Sequence, residues 1–99
     1  MMEPKCVREL LAGVEPLSFR RMFGGWGVYR DGRMFGLIAD GELYLKVDGE
    51  TEATFAAAGG EPFVFEMKDG RRAVMRYRRL PPEAQDDPDA AAGWARLAI

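Results

Sequence analysis

The sequence predicts an α+β domain of two layers, with helices lying on one face of an antiparallel sheet. Three Asp-Gly pairs, Asp31-Gly32, Asp40-Gly41 and Asp69-Gly70, each sit between runs rich in aromatic and branched residues. A type I′ turn needs positive φ at both central residues, which Asp tolerates and Gly accepts freely, so each pair predicts a hairpin. Both ends of the chain carry apolar residues at helical spacing instead. The predicted order is α-β-β-β-α-β-β-α, with five strands in one sheet.

The first helix is expected from Pro4 to Ala12, because proline at the first helical position gives up an N–H that would be unpaired anyway. Val7, Leu10, Leu11 and Val14 form its apolar stripe, Gly13 can close it and Pro16 prevents its resumption. A three-stranded meander follows. Strict two-residue turns would pair Arg30 with Arg33, Val28 with Phe35 and Trp26 with Leu37 across the first hairpin. Across the second they pair Ala39 with Glu42, Leu37 with Tyr44 and Phe35 with Lys46. One face would then carry Trp26, Val28, Phe35, Leu37 and Tyr44, and the other Tyr29, Met34, Ile38, Leu43, Leu45 and Val47.

Asp48 is placed to cap a second helix that runs to Ala58 and ends at Gly59-Gly60, with Phe55 as its anchor. The runs Phe63 to Lys68 and Arg71 to Arg79 make a second hairpin, pairing Phe65 with Val74 and Val64 with Met75. Asp87-Pro88-Asp89 then reads as a helix start, with Ala90, Trp94, Leu97 and Ala98 facing inward.

Ninety-nine residues make one domain, 1–99, able to bury roughly 60–70% of its unfolded surface. A hydrophobic share of 47% beside 30% charged residues is that of a globular chain. No apolar run approaches the roughly 20 residues of a membrane span, and the acidic start at Glu3 is unlike a signal peptide. A single cysteine, Cys6, leaves no intramolecular disulfide and suits a reduced cytoplasmic setting. The net charge of −2 draws the whole chain toward neither nucleic acid nor anionic lipid.

The sequence contains no histidine, which removes Ser-His, Cys-His and His-ligated zinc arrangements. Ser18 has no recognisable base, and Glu83, Asp86, Asp87 and Asp89 sit where capping or solvation explains them. Gly24-Gly25-Trp26-Gly27 lacks the Lys-Ser/Thr and the following helix of a phosphate loop. The expectation is a protein that is not an enzyme and holds no cofactor and no metal. One charge feature remains. Lys68, Arg71, Arg72, Arg76, Arg78 and Arg79 crowd the second hairpin, and Arg20 and Arg21 precede the first. Arg20, Arg21, Arg71, Arg72, Arg76 and Arg78 are therefore the candidate contacts for a partner protein or for nucleic acid, although alternation splits the hairpin arginines between two faces.

The string from Arg21 to Tyr29 (RMFGGWGVY), then Phe35 to Ile38, then Leu43 to Asp48, resembles the N-terminal domain of the TfoX/Sxy family. Phe55 to Gly59, Pro62-Phe63, Met75 to Tyr77, Leu80-Pro81, Asp87-Pro88 and Trp94-Ala95 follow in the same order, so the resemblance covers nearly the whole chain. It implies a bacterial regulator of competence for DNA uptake that works with the transcription machinery, founding members acting with the cyclic-AMP receptor protein. Those members carry a second domain, so the chain resembles a stand-alone first domain. The element order is also similar to the secretion-chaperone-like fold, whose small acidic members dimerise and bind proteins.

The expected function is a regulatory protein-binding domain. Its alternatives are a nucleic-acid binder using the arginine hairpin and a structural homodimer. With both meander faces apolar and helices enough for only one, a homodimer is expected through Trp26, Phe35, Leu37 and Tyr44.

Overall fold

A computed structural model describes residues 1–22 and 24–99; Phe23, inside the motif string, lies outside them. The chain forms α1 (Pro4–Leu10), a 3-10 turn at Ala12–Val14, and four strands: β1 (Ser18–Met22), β2 (Gly25–Arg30), β3 (Arg33–Ala39) and β4 (Glu42–Lys46). Then come α2 (Glu52–Ala57), β5 (Pro62–Glu66), β6 (Arg72–Arg79), a 3-10 turn at Pro82–Ala84, and α3 (Pro88–Ala98). All strand pairs are antiparallel, in the order β1-β2-β3-β4-β6-β5.

The described residues thus hold six strands rather than five. The additional one is β1, whose Ser18-Phe19-Arg20-Arg21-Met22 shows no apolar alternation. It exists because β2 needs a neighbour: Ser18 to Met22 pair in order with Tyr29 to Gly25. Guanidinium groups lying over rings reinforce it, with Arg8 over Phe19 at 5.0 Å, Arg20 over Tyr29 at 5.2 Å and Arg21 over Trp26 at 5.0 Å.

Asp31 and Gly32 have φ of 53° and 78°, and Asp40 and Gly41 have 51° and 75°, as type I′ turns require. Arg30 accordingly pairs with Arg33, Ala39 with Glu42 and Leu37 with Tyr44. The rest of the β2–β3 register differs from the expectation. Val28 pairs with Gly36, not Phe35, and Trp26 pairs with Ile38, not Leu37, because a β-bulge intervenes after the Tyr29–Met34 pair. Phe35 is the extra residue, and a bulge turns a side chain that alternation would send the other way. Phe35 joins the core under the helices.

The second hairpin also slips by one residue. Val64 pairs with Val74 and Phe65 with Ala73. Asp69 is not among the residues with positive φ, whereas Gly70 has φ 88°. Met67 N–H donates to Arg71 O at 2.7 Å and Gly70 N–H to Met67 O at 3.0 Å. The connection is therefore a three-residue loop ending in a left-handed glycine, one residue longer than a type I′ turn.

These corrections redraw the faces. Trp26, Val28, Phe35, Ile38, Leu43, Leu45 and Val47 lie against the helices with Val7, Leu11 and Phe55. Tyr29, Leu37 and Tyr44 lie on the face that no helix covers. The four residues expected to share a dimer surface are thus divided, Trp26 and Phe35 on the helix side and Leu37 and Tyr44 on the open side.

The starts of α1 and α3 follow the sequence closely. The Asp87 carboxylate accepts from Asp89 N–H at 3.1 Å and Ala90 N–H at 3.2 Å, capping α3. Asp48 does not cap α2 as expected: its carboxylate accepts from Thr51 N–H at 2.9 Å and Glu50 N–H at 2.8 Å, which holds it below the ordinary range but closes the turn ahead of the helix, whose N-cap is Thr51 and which begins at Glu52. Phe55 is fully buried and meets the Trp94 ring edge-on at 4.7 Å, tying α2 to α3. Phe55→Ala is expected to destabilise the fold by about 3–5 kcal/mol, and the half-buried Trp94 by about 3 kcal/mol on truncation to Ala. Denaturant melts checking these would contradict the packing if Trp94→Ala lost less than about 1 kcal/mol, the level of a surface site.

Candidate functional site

Two surfaces carry the side chains singled out by the sequence. The first is the open face of the sheet. Cross-strand pairing lays out one continuous row on it: Arg20 with Gly27, Gly27 with Leu37, Leu37 with Tyr44, and Tyr44 with Arg79. Arg79 N–H donates to Glu61 O at 2.8 Å, so the row ends beside Glu61 at the far edge. Leu37 and Phe63 are only 3% and 8% exposed, yet neither belongs to the core under the helices. They are covered by neighbours on their own face, Phe63 by the Tyr44 ring at 4.9 Å.

Burial raises the Tyr44 phenol above its ordinary value, and the carboxylates of Glu42, Asp40 and Glu61 push the same way while Arg79 opposes them. Burial likewise raises Tyr77, with Tyr29 adding to it. Arg79 Nε is buried on this face without a hydrogen-bond acceptor.

The second surface is the β5–β6 arm. The alternation of β6, anchored by Arg78 opposite Leu45, puts Arg72, Val74, Arg76 and Arg78 on the helix side of the sheet. Arg78 is not available there: its Nε donates to Glu52 at 3.2 Å and its Nη1 to Gly60 O at 2.8 Å, pinning β6 to α2. Arg72, Val74 and Arg76 lie beyond and are exposed, Val74 at 70%. Arg71 sits in the turn, with its Nε on Asp69 at 2.6 Å; so exposed a pair holds the loop more than it stabilises the fold.

The candidate arginines are therefore scattered. Arg20 and Arg21 stack on rings on opposite faces of β1, Arg71 is in the turn, Arg78 is structural, and Arg72 and Arg76 alone form an accessible pair. Arg30, Arg33 and Lys46 line a cleft of about 470 Å³ with Ala98 and Ile99. Their charge complements the partial negative charge at the C-terminal end of α3. The pattern of the TfoX N-terminal domain matches residues 9–99. The chain belongs to that family.

Two relatives share parts of this TfoX domain. It is 46% identical over 44 residues to the DNA transformation protein TfoX1 of Aliivibrio fischeri, 44% of this chain and 21% of that protein. It is 29% identical over 73 residues to Protein Sxy of Escherichia coli, 74% of this chain and 34% of that protein. The matched stretches thus span about a fifth and a third of those relatives' length. Gly27, Glu61, Phe63, Tyr77 and Arg79 were not foreseen as site residues. Glu61, Phe63 and Arg79 need the β4–β6 pairing, which joins distant strands and leaves no local signal.

The tyrosines give a test in alkali. Because folding holds Tyr44 and Tyr77 neutral, their contribution to stability is present below pH 10.0 and is lost as pH rises through their higher folded values. Ultraviolet titration is expected to show two phenols ionising late. Tyr44→Phe and Tyr77→Phe should each remove one late step, and a late step surviving both substitutions would contradict this placement.

Proposed function

We propose that this TfoX domain is a non-enzymatic regulator of DNA transformation that works in the cytoplasm by binding another protein. The family relation and the name of the Aliivibrio fischeri relative, a DNA transformation protein, support the process. The mode of action rests on one observation, the exposed Arg72-Val74-Arg76 face of the arm. A branched apolar side chain between two cations suits a partner carrying an apolar anchor flanked by carboxylates. A phosphate backbone would use the cations and leave Val74 without a counterpart. The division of the remaining arginines between faces weighs the same way.

The measurement is natural transformation in a transformable bacterium whose own copy is deleted and replaced by variants. Val74→Asp is expected to lower transformation by roughly tenfold or more, as loss of an interface anchor does. Its thermal melt should stay within about 0.5 kcal/mol of the parent, since the residue is exposed. Normal transformation with this variant would defeat the reading. Salt-dependent binding of the purified domain to duplex DNA, lost in Arg72→Ala and Arg76→Ala, would replace it with the nucleic-acid alternative.

A further inference from the structure

The pair that closes the first hairpin sets two like charges against each other. Arg30 pairs with Arg33 directly across the Asp31-Gly32 turn, so both side chains leave the same face of the hairpin. Side chains so placed have Cβ atoms about 5 Å apart, and like charges there are mutually destabilising. Other arginines are matched: Arg8, Arg71 and Arg78 hold carboxylates, and Arg20 and Arg21 lie over rings. Among the described residues no carboxylate forms an ion pair with Arg30, Arg33 or Lys46. The Nε of the half-buried Arg30 has no hydrogen-bond acceptor either.

These three cations line one cleft of about 470 Å³, and Asp31 is the single carboxylate among its lining residues. Two positive charges are thus in excess, and the C-terminal end of α3 offsets only about half of one. We propose that this cleft binds a small phosphate monoester carrying an apolar body. A dianion between Arg30 and Arg33 turns their repulsion into two attractions, and the planar guanidinium forks match phosphate oxygens. Lys46 adds a third cation as a point charge. A carboxylate, with a single charge, would leave one of the two excess cations unanswered, whereas a phosphate dianion answers both. The apolar body follows from the rest of the lining. Met34, Ala98 and Ile99 border the same space, and Ile99 is 49% exposed, so an inorganic anion alone would leave it in water. The volume falls in the range of small-molecule sites, about 300–1,000 Å³. The cleft shares no residue with the Arg72-Val74-Arg76 face, so this inference goes beyond the proposed partner contact.

Isothermal titration calorimetry of the full chain with phenyl phosphate tests this, at about pH 8, where the phosphate is a dianion, and about 50 mM salt. Saturable binding with a Kd of about 2 mM or tighter is expected. Inorganic phosphate should bind about fivefold or more weakly, because it covers none of the apolar lining. Arg33→Ala and Lys46→Ala, both at exposed positions, should each raise the phenyl phosphate Kd about fivefold or more. Lys5→Ala removes the same charge from exposed α1 surface and should leave the Kd unchanged. Phenyl phosphate at about 20 mM should also raise the Tm of the parent more than that of Arg33→Ala, since a ligand stabilises the fold that binds it. A Kd weaker than about 2 mM for the parent overturns the site. A Kd that ignores Arg33→Ala and Lys46→Ala, or that Lys5→Ala weakens as much, overturns its placement in this cleft. Inorganic phosphate binding as tightly as phenyl phosphate overturns the apolar body. None of these outcomes depends on Val74, so failure here and failure of the partner-binding reading are separable.

Discussion

The β-bulge at Phe35 is the constraint on which the rest of the structure depends. Side chains in a strand alternate strictly, so one extra residue exchanges the faces of everything beyond it. In β3 that residue is Phe35, placed between the Tyr29–Met34 and Val28–Gly36 pairs. It lets Phe35 and Ile38 both enter the helix-covered core while Leu37 remains on the open face. Without it, Val28 would sit opposite Phe35 and Trp26 opposite Leu37. Trp26, Leu37 and Tyr44 would then share a face with Val28 and Phe35, while Ile38, Leu43 and Leu45 would lie with Tyr29 on the other, and neither face would match the helices. The bulge is thus what separates a core that helices complete from a surface they leave alone.

How much of this was legible depends on whether the cause is local. The two type I′ turns were legible because positive φ at two adjacent residues is an intrinsic property of Asp-Gly. The α3 cap was legible for the same reason, since Asp87-Pro88 specifies its own helix start. Asp69-Gly70 misled because the dipeptide also suits a three-residue loop, and only hydrogen bonding between Met67 and Arg71 distinguishes the two. The bulge was illegible because it answers to packing under α3. Strand β1 was illegible because its stability comes from pairing with β2 and from rings under its arginines, not from an apolar pattern of its own.

The same distinction governs the candidate site. The sequence identified the basic hairpin and the division of its arginines between two faces, but not the separate environment that folding gives each. Arg78 is consumed in holding β6 to α2, Arg71 in holding its turn, and Arg79 falls on the open face beside Tyr44. What remains exposed is a mixed apolar and cationic face rather than a continuous positive stripe. Crowding of one charge in sequence is a weak guide to a charged surface when strand alternation halves it and neighbouring carboxylates claim part of the remainder.

The two surfaces lie on opposite sides of one sheet, and β6 contributes to both. Arg72, Val74 and Arg76 project on the helix side beyond the helices, while Tyr77 and Arg79 alternate with them onto the face that carries Leu37 and Tyr44. One strand thus serves two unlike environments, because successive side chains of a strand point to opposite faces. On one side stands an exposed edge that mixes cations with Val74, and on the other a layer whose apolar members, Leu37 and Phe63, are covered by their own neighbours. The arm can therefore change its exposed residues without disturbing the packing behind it, which is where a surface free to specialise is expected.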